Sequence, residues 1–336
     1  MIDLYTIDDT VLNQTMRLLK REAMSRGWRA TLPSPSSIHI FLVRSDGKKI
    51  HSYGPVPPTT SFAAAHTSTN KYVSYQQIKE ADIPQLATTT VRNDNMQAGV
   101  DFLNLHKMVV VKPVDGAHGN GITVGVKNQQ MLEKAVDYAL SSSNARYSVL
   151  LQQQYPHKKL YDLRILCIDY QFVAAIYRVP AAVIGDGKHT IEELILAENQ
   201  GDARGVAYMS ELATIDLDLS RTYLKETINN IPVQDEIVEV LGIANYGAGG
   251  QTIDATDSIP VWLRELAELA SKKLELPMAG IDFLSCAPPK STSTKAELDA
   301  VFIEANKAPS LAIHVQPTHG TSRDVVKAYF DYLAKM

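Results

Sequence analysis

The hydrophobic and polar positions in the first quarter of the chain alternate between helical and strand-like spacings. Residues 11–26, VLNQTMRLLKREAMSR, have the spacing of an amphipathic helix. Residues 38–54, IHIFLVRSDGKKIHSYG, alternate like two strands joined by a DG turn. A second helical pattern begins at Asn70, a favourable N-cap residue. We therefore predict a small N-terminal α/β lobe over residues 1–66, followed by a helix.

The middle of the chain contains short apolar runs separated by one glycine-rich segment. The runs VVVKPV (109–114) and ITVGV (122–126) are typical of paired strands on either side of a loop. A helical pattern follows over 128–142 and a strand pattern over 147–155. Two further strands joined by a short turn, and then a helix, are predicted at residues 162–169, 172–181 and 190–200. Residues 201–235 have mixed patterns and support no prediction.

The last third of the chain has clearer periodicities. They predict a helix at 261–274, strands at 278–287 and 299–307, and a closing helix from about Asp324. A polar, low-complexity loop near Ser291 is predicted to be mobile. Because strands and helices mix without strict alternation, the pattern favours an α+β fold over one doubly wound sheet.

Composition narrows the function classes. The chain has 336 residues, with 33 Lys and Arg against 37 Asp and Glu, and no basic block that would indicate nucleic-acid binding. Its two cysteines, Cys167 and Cys286, favour a reducing compartment over a disulfide framework. No apolar run approaches the length of about 18 residues that a membrane span needs. We expect a cytoplasmic protein with no nucleic-acid partner and no membrane association.

Three glycines, Gly116, Gly119 and Gly121, lie between the two predicted strands. Their spacing matches neither the P-loop nor the dinucleotide-binding fingerprint, both of which lead from a strand into a helix. Backbone amides at such a hairpin tip can form an anion site, because glycine lets the chain approach a ligand closely. An ordinary hairpin is the alternative. Lys112, in an otherwise apolar strand, either offers a charge to phosphate or lies at a strand edge in solvent.

Charged residues interrupt four of the apolar strands. Asp282 lies in AGIDFLSCA, and Glu304 and Asn306 share one face of VFIEAN. Two carboxylates and an amide oxygen suit a hard cation such as Mg²⁺, and ion pairs with Arg or Lys are the alternative. Arg164 and Arg178 lie in two further apolar strands. They either neutralise the acidic pair or hold a carboxylate or a transferring phosphoryl group.

The order of these motifs resembles that of the ATP-grasp ligases, and it is most similar to the ATP-grasp module of cyanophycin synthetases and of bifunctional glutathione synthases. The matching stretches extend over roughly residues 66–336 and are NKYVSYQQIKEADIP, VVVKPVDGAHGNGITVGV, DLRILCIDYQFVAAIYRVPAAVIGDGKHTIEELI, AGIDF and FIEANKAP, followed by His314. The resemblance implies the ATP-grasp fold, in which two α+β lobes clamp ATP, preceded by a small N-terminal α/β lobe. It divides the chain into that lobe (1–66), a linker helix and entry segment (67–107), a lid subdomain (108–155) and a C-terminal subdomain with the metal site (156–336).

The resemblance also implies a role for individual residues. The lysines that bind the phosphates of ATP would be Lys71 and Lys112, and the lid loop over the triphosphate would contain Gly116, His118, Gly119 and Gly121. The hinge groups at the adenine would be Gln152, Gln153 and Gln154, and the carboxylate at the ribose would be Asp162. Asp282, Glu304 and Asn306 would hold Mg²⁺, with Mn²⁺ as the alternative ion. Arg164 and Arg178 would be the catalytic residues, near the γ-phosphate and the acyl substrate. The implied substrate contacts are Asn245, Gly249, Gly250 and His314.

The implied reaction joins a small-molecule carboxylate, such as an amino acid or small peptide, to an amine. The carboxylate attacks the γ-phosphate of ATP to give an acyl phosphate, and the amine then displaces phosphate to form an amide. The protein positions the reactants and stabilises charge. Because related enzymes are often dimers or tetramers, the resemblance also implies a homodimer or a homotetramer.

Several positions depart from the family pattern. In the hinge, Gln152 and Gln153 stand where the family usually has glutamates. A second group consists of apolar or small residues at positions where the family has other residues, including arginines; these are Leu241, Gly242, Ser310 and Ala312. The second group lies where a charged substrate would be held, so we expect a product other than cyanophycin. Two alternatives stay open, which are a small-molecule kinase of the same fold and a nucleotide-binding module without ligase activity.

Overall fold

The chain begins with a four-stranded antiparallel sheet and one helix. The structure, a computed structural model, describes residues 1–92, 94–116, 119–144, 147–242, 244 and 246–336. The sheet order is β1-β2-β3-β4, and the elements are β1 (Ile2–Asp3), α1 (Gln14–Ser25), β2 (Arg29–Leu32), β3 (His39–Val43) and β4 (Lys49–Tyr53). Asn13 caps α1 by accepting a hydrogen bond from the Met16 backbone N–H (2.9 Å). The predicted helix and hairpin of this lobe are confirmed.

Two short helices connect this lobe to the rest of the chain. They are α2 (Phe62–Thr69) and α3 (Lys71–Lys79). Asn70 ends α2 and caps α3, since its side chain accepts a hydrogen bond from the Val73 backbone N–H at 3.2 Å. The predicted N-cap is confirmed, and it fixes Lys71 at the first turn of α3.

A second four-stranded antiparallel sheet, called here the lid sheet, follows. Its order is β5-β8-β6-β7, and the elements of this region are β5 (Thr88–Arg92), α4 (Met96–His106), β6 (Val109–Pro113), β7 (Thr123–Val126), α5 (Gln129–Ser141) and β8 (Ser148–Gln153). Helices α4 and α5 cover one face through an apolar cluster that includes Val111, Leu132 and Leu151. The β6–β7 pair, α5 and β8 are confirmed. The sequence did not predict β5 and α4, which lie in the segment 67–107.

The long hairpin after the lid sheet carries an insertion, defined here as residues 180–250. The hairpin is β9 (Tyr161–Ile168) and β10 (Gln171–Val179), as predicted. The insertion contains β11 (Ala182–Ile184), α6 (Ile191–Asn199), β12 (Arg204–Gly205), β13 (Leu212–Ala213), α7 (Leu217–Leu224) and β14 (Ile237–Glu239). It has its own small apolar cluster, which includes Val183, Ile195 and Val240.

The central sheet is five-stranded and antiparallel, in the order β15-β10-β9-β16-β17. The remaining elements are β15 (Gln251–Asp254), α8 (Val261–Lys273), β16 (Met278–Ser285), α9 (Lys295–Leu298), β17 (Val301–Asn306), α10 (Ala312–Val315) and α11 (Val325–Lys335). Short 3₁₀ helices cover Leu4–Thr6, Asp9–Val11, Lys225–Asn229, Tyr246–Ala248 and Thr256–Ser258. The predicted α8, β16, β17 and α11 are confirmed.

The two faces of the central sheet differ in what covers them. One face is apolar throughout, and α3 and α8 pack on it through residues that include Ile165, Ile281 and Leu263. The opposite face is divided in two. At one end Leu166 and Met278 join a single apolar cluster with α11 and the N-terminal lobe. At the other end the same face carries charged side chains, so the N-terminal lobe covers only the apolar half.

A membrane-spanning helix is not found among the residues that the structure describes.

Candidate active site

Charged residues occupy the uncovered half of the central-sheet face. Successive side chains of a strand point to opposite faces, so Asp162 and Arg164 of β9 lie on the same face. The register places Arg178 opposite Asp162 and Asp282 opposite Arg164. Glu304 of β17 is in turn opposite Asp282. Residues far apart in sequence therefore form one charged surface across β10, β9, β16 and β17.

Asp282 lies between two arginines. It is 2% exposed and Arg164 is 7% exposed. Arg164 donates from Nε to Oδ1 of Asp282 and from Nη2 to Oδ2 (2.9 Å). Arg178 donates from Nη2 to the same Oδ2 (2.8 Å) and to Oδ1 of Asp162 (2.6 Å). The ion pairing that the sequence left as an alternative for Asp282 is present, and it balances the charge of this buried carboxylate.

Gly280 makes room for this ion pair. It lies two residues before Asp282 on the same strand and face. A Cβ atom at this position would lie 2.8 Å from Cδ and 3.1 Å from Nη1 of Arg164. The absence of a side chain at Gly280 therefore lets Arg164 extend across the sheet to reach Asp282.

Burial and neighbouring charges shift the pKa values of Asp162 and Glu304 in opposite directions. Burial raises the pKa of Asp162, although Arg178 acts against it. Burial also acts to raise the pKa of Glu304, but the positive charges of Lys71 and Arg164 outweigh it and hold that pKa at about 2. Glu304 is therefore ionised at neutral pH and is available to a cation.

The predicted metal ligands lie together. Asp282 and Glu304 are cross-strand neighbours, and Asn306 is on the same face, with its Nδ2 donating to Oε1 of Glu304 at 3.3 Å. Two carboxylates and an amide are the oxygen donors that Mg²⁺ prefers, so the donor set fits a divalent cation. Such a cation would compete with Arg164 and Arg178 for Asp282. Within the described ranges, no three His, Cys, Asp or Glu side chains are grouped so that they could hold a metal ion. The set proposed here has two carboxylates, and its third member is the amide of Asn306.

Lys71 connects α3, the glycine loop and the metal-ligand strand. Its Nζ lies 3.4 Å from Oε2 of Glu304 and donates to the backbone carbonyl of Gly116. Its backbone N–H donates to the Val114 carbonyl at 2.8 Å. The lysine predicted to bind phosphate is therefore held between the loop and the predicted metal site.

Lys112 is buried on the lid sheet. Its Nζ donates to Oε1 of Gln152 at 3.0 Å and lies 3.5 Å from the Tyr75 hydroxyl. Burial, with a smaller effect of Lys71, lowers the pKa of Lys112 to about 7. Because Gln152 is neutral, no carboxylate at this contact offsets the burial. Lys112 is thus poised between its charged and neutral forms at physiological pH.

The predicted hinge, Gln152–Gln154, comprises the last two residues of β8 and the residue after it. The Gln153 backbone N–H donates to the Ala87 carbonyl (2.8 Å), and that of Gln154 donates to the Met108 carbonyl (3.1 Å). The side chain of Gln154 accepts a hydrogen bond from the Gly125 N–H at 2.7 Å. Hydrogen bonds thus connect the hinge to the residues that precede β5 and β6 and to β7.

The glycine loop is folded against the end of β6. Gly119 and Gly121 have φ values of 81° and 74°, which favour glycine. A Cβ atom on Gly121 would lie 2.7 Å from Cγ of Pro113, and one on Gly116 would lie 2.9 Å from Cβ of Pro113. Two of the predicted lid glycines are therefore needed for close packing. His118, also predicted for the lid, is outside the described residues.

Among the predicted substrate contacts, His314 is buried. It is 1% exposed, and neither ring nitrogen has a hydrogen-bond partner among the residues that the structure describes. Burial, with a smaller effect of Arg164, lowers the pKa of His314 to about 3, so the ring is neutral. Gly249 has a φ of 100° and approaches the backbone of Ile215, where a Cβ atom would lie 2.7 Å from Cα. Gly250 is buried next to it, and Asn245 is outside the described residues.

Of the six positions that depart from the family pattern, three are buried, two are half-buried and one is exposed; these are Gln152, Leu241 and Ala312, then Gln153 and Ser310, and then Gly242. Leu241 and Ala312 are 1% and 2% exposed and belong to apolar packing rather than to an open charged surface. Gly242 lies against the ring of Tyr223, since a Cβ atom on it would be 2.8 Å from Cδ2. Ser310 is half-buried.

Sequence reasoning missed residues that border the site. Tyr75 contacts Lys112, and its position one helical turn after Lys71 was a usable signal. Asp254 of β15 accepts from Arg323, with Oδ2 at 2.5 Å from Nη2, and its charge reaches His314. Tyr208 comes from the part of the insertion that supported no prediction, and no sequence period could have found it.

Comparisons with known proteins agree with this architecture. Residues 76–188 match the family described as "Prokaryotic glutathione synthetase, ATP-grasp domain". A cyanophycin synthetase from Crocosphaera subtropica is 35% identical over 263 residues, which cover 76% of this chain and 29% of that protein. A bifunctional glutathione biosynthesis protein from Enterococcus faecalis is 34% identical over 234 residues, which cover 67% of this chain and 30% of that protein. The chain thus spans less than a third of the length of either relative.

A solved structure has the same fold. The bifunctional glutathione synthetase from Pasteurella multocida superposes with a TM-score of 0.70 at 22% identity, over 98% of this chain and 44% of that one. ATP-grasp ligases use ATP and divalent metal ions. The fold, the matched domain and the relatives together show that this chain belongs to the ATP-grasp superfamily.

Proposed function

We propose that this protein is an ATP- and Mg²⁺-dependent ligase that joins a small carboxylic acid to an amine and releases ADP. The observation that carries the proposal is the convergence of Lys71, Glu304 and the glycine loop beside Asp282. One surface thereby holds cationic groups for a triphosphate and oxygen donors for a divalent cation. The relatives, named as enzymes of cyanophycin and glutathione synthesis, support ligase chemistry.

The triphosphate would lie between the lid sheet and the charged half of the central sheet. Lys71 and Lys112 would donate to its oxygens from the two sides, and the glycine loop would cover it. Asp282, Glu304 and Asn306 would hold Mg²⁺, which when bound neutralises charge on the phosphates. The hinge at Gln152–Gln154 would meet the adenine.

The arginines would place the acid. Arg164 donates to Asp282, Arg178 donates to both Asp282 and Asp162, and the two guanidinium groups would orient a carboxylate toward the γ-phosphate. Arg178 stays charged, because the carboxylates of Asp162 and Asp282 outweigh the burial that would lower its pKa. The same charges would stabilise the developing acyl phosphate until the amine displaces phosphate. Closure of the lid would exclude water from that intermediate.

The ribose contact proposed for Asp162 has less support. Oδ1 of Asp162 is bonded to Arg178, and its side chain lies among the charged groups of the central sheet. A role in orienting Arg178 fits these contacts. The ribose assignment stays a prediction.

Release of ADP tests the proposal. The protein is incubated with Mg-ATP, a panel of amino acids and dipeptides as acids, and hydroxylamine or amino acids as amines. We expect ADP and phosphate only when an acid and an amine are both present. Asp282→Asn should abolish release, whereas Asp218→Asn, on the exposed surface of α7, should not.

Two other outcomes would contradict the proposal. ADP formed from a single hydroxyl or phosphate-bearing compound without an amine would indicate a kinase. A rise in melting temperature with Mg-ATP, without ADP from any pair, would indicate a nucleotide-binding module.

We also propose a reducing, cytoplasmic environment. Cys167 is buried, Cys286 is partly buried, and neither forms a disulfide. Retention of activity in the presence of a thiol reductant, and its survival on Cys286→Ser, would agree with this placement. Loss of folding under reducing conditions would contradict it.

A further inference from the structure

Strand β17 contains one residue more than its partner strand β16 at the predicted metal site. Asp282 is opposite Glu304, and the next residue of β16, Phe283, is opposite Phe302. Ile303 is therefore an extra residue, and β17 has a β-bulge directly before Glu304. Because a bulge bends its strand and redirects the side chains beside it, this one bears on where the Glu304 carboxylate points.

The bulge decides which face of the central sheet each side chain of β17 occupies. In a regular strand, residues 302 and 304 would share one face, because side chains alternate with a period of two. Here Phe302 is buried in the same apolar cluster as Phe283, whereas Glu304 is beside Asp282 on the charged half of the opposite face. The extra residue thus lets β17 bury Phe302 in the core and present Glu304 to the site.

The hydroxyl of Tyr75 binds the backbone of this bulge. Tyr75 lies on α3 one helical turn after Lys71, is 1% exposed, and donates from its hydroxyl to the Ile303 carbonyl. Its ring packs edge-on against that of Phe302, with the centroids 5.6 Å apart. Helix α3 therefore contacts β17 twice, through Lys71 at the Glu304 side chain and through Tyr75 at the preceding backbone carbonyl.

Lys112 reaches the same hydroxyl from the lid sheet. Its Nζ lies 3.5 Å from the Tyr75 oxygen and 5.5 Å from the centroid of the ring. The shorter contact of Lys112, at 3.0 Å, is with Oε1 of Gln152. Loss of the Tyr75 hydroxyl would therefore leave Lys112 with its nearer partner, whereas the bulge would lose the hydrogen bond that joins it to α3.

We propose that Tyr75 is a positioning residue that fixes the bulge at Ile303 and thereby orients the carboxylate of Glu304 toward the divalent cation. Tyr75 acts through Glu304 and not by contact with the nucleotide. This inference rests on the proposed function only for the role of Glu304 as a metal ligand. It gives α3 two tasks at the site, since Lys71 supplies a charge for phosphate and Tyr75 sets the direction of the ligand strand.

Metal-dependent ATP binding tests the inference without turnover. The dissociation constant of ATP is measured by calorimetry with Mg²⁺ and with EDTA, and the ratio of the two constants gives the gain in affinity from Mg²⁺. We expect Tyr75→Phe, which keeps the ring, to reduce this gain about tenfold, since partners that orient a metal ligand contribute at least this much to metal affinity. The affinity for metal-free ATP should stay close to that of the wild type, because Lys112 keeps Gln152.

Tyr329→Phe is the matched control. Tyr329 is also 1% exposed, and its hydroxyl lies 3.1 Å from Oγ of Ser52. It belongs to the apolar cluster that the N-terminal lobe shares with the central sheet. The control therefore removes a buried, hydrogen-bonded hydroxyl away from the metal ligands, and it should leave the gain from Mg²⁺ unchanged whatever its effect on the melting temperature.

A double variant separates positioning from a general loss of structure. If Tyr75 acts through Glu304, Tyr75→Phe should reduce the gain from Mg²⁺ little further in a Glu304→Gln background, whereas independent effects would multiply. Independent effects would overturn the inference, as would an unchanged gain in Tyr75→Phe or an equal loss in Tyr329→Phe. A wild type in which Mg²⁺ adds no affinity would overturn both the inference and the metal role of Glu304. ADP release is measured separately, so a failure of ligase activity alone is distinguishable from a failure of this inference.

Discussion

At the scale of single residues, the carboxylates of Asp282 and Glu304 differ in their burial and in the positive charges that they pair with. Asp282 is buried and is bound by both Arg164 and Arg178, whereas Glu304 is partly exposed and lies near Lys71. Removal of one member of a buried ion-pair group leaves the others uncompensated, which costs far more than loss of an exposed pair. The two carboxylates should therefore respond differently to substitution, although both are proposed to bind the same ion.

We predict that Asp282→Asn lowers both stability and Mg-ATP affinity, and that Glu304→Gln lowers mainly affinity. Loss of the Asp282 charge leaves the buried guanidinium of Arg164 without its carboxylate, at a cost of about 3–5 kcal/mol, whereas Arg178 keeps Asp162. Glu304→Gln should cost about 1 kcal/mol or less, because Lys71 keeps its contact with the Gly116 carbonyl. Urea unfolding and calorimetric titration with Mg-ATP measure the two quantities. Unchanged Mg-ATP affinity in both variants would contradict the metal assignment.

Lys112 predicts a pH dependence for nucleotide binding. Its pKa of about 7 in the folded protein lies below the ordinary value of 10.5, so its charge is present below pH 7 and is lost as pH rises through 7. Because phosphate favours the charged lysine, Mg-ATP affinity should fall between pH 6 and pH 8.5, by at most about tenfold per pH unit above 7.

Gln152→Glu should flatten this profile. A carboxylate at the atom that now accepts from Lys112 at 3.0 Å would raise the pKa of the lysine. Gln97→Glu, on the exposed side of α4, adds the same charge elsewhere and should leave the profile unchanged. A wild-type profile that is already flat would show that Lys112 does not titrate in this range.

The residues of the site were predictable where a charge interrupts an apolar strand. Asp282, Glu304 and Arg164 stand out in this way, because burial of a charge has a cost that pattern reasoning can detect. Their mutual partners could not be predicted, since strand order and register arise from the whole fold. Tyr208 gave no signal at all, because its position depends on contacts with Gln14 and Arg17, nearly 200 residues earlier.

At the scale of elements, the glycine loop shows that glycines in one motif have different structural reasons. Gly119 and Gly121 both have positive φ values, but only Gly121 is also crowded. A side chain there would meet Pro113 of β6 and Ser142 after α5, whereas one at Gly119 would meet nothing within 4 Å. Gly121 therefore joins the loop to the lid sheet, and Gly119 only allows the chain to turn.

We predict that Gly121→Ala weakens Mg-ATP binding more than Gly119→Ala does. The Gly119 variant carries only backbone strain of about 1 kcal/mol, equivalent to a few-fold loss if the loop closes over ATP. The Gly121 variant must also move the loop away from Pro113, and we expect a loss of tenfold or more. Mg-ATP titrations, with hydrogen exchange over β6 and β7, compare the two. Equal losses would mean that the observed packing does not define the closed loop.

Gly280→Ala tests the close approach of β16 to the arginine of β9. The added methyl would contact Cδ of Arg164 and displace its guanidinium from Asp282. We expect turnover to fall by at least tenfold and the melting temperature to fall as well, because the buried Arg164–Asp282 ion pair is disturbed. Gly47→Ala, a glycine with open space around it in the N-terminal lobe, is the control. Normal turnover in Gly280→Ala would indicate that the Arg164–Asp282 geometry is not required.

Long periodic elements were predictable, and short ones were not. Helices α1, α5, α8 and α11 and the β9–β10 hairpin have patterns long enough to specify their type. Strand β5 is five residues, TTTVR, with three threonines and no alternation of apolar residues. The strands of the insertion have two or three residues each, which is too short for an alternation of apolar and polar residues to be recognised.

At the scale of the whole molecule, the N-terminal lobe and the central sheet share one core. The cluster that contains Leu19 and Trp28 of the lobe also contains Leu166 and Met278 of the central sheet. Sequence patterning separated residues 1–66 as a lobe because its elements form their own sheet. It could not show that the apolar face of the lobe is buried against an apolar face of the central sheet.

We predict that the lobe and the central sheet unfold together. The chain has two tryptophans, Trp28 in the shared cluster and Trp262 in α8 on the opposite face of the sheet. Trp28→Phe and Trp262→Phe therefore leave one reporter each, and their thermal transitions should coincide. Leu19→Ala, at a fully buried position, should lower both midpoints, in line with a loss of about 2–5 kcal/mol. Two separated transitions would contradict a shared core.

The divided face of the central sheet has a consequence for how such enzymes can diversify. The N-terminal lobe ends where the charged half begins, and its helix α1 fixes the part of the insertion that carries Tyr208. Under the proposed function, a change in the angle of the lobe would therefore reshape the region proposed to hold the acid and leave the lid sheet untouched. Exchange of lobes between relatives would then be a route to new acid specificity that requires no substitution among the residues that bind ATP.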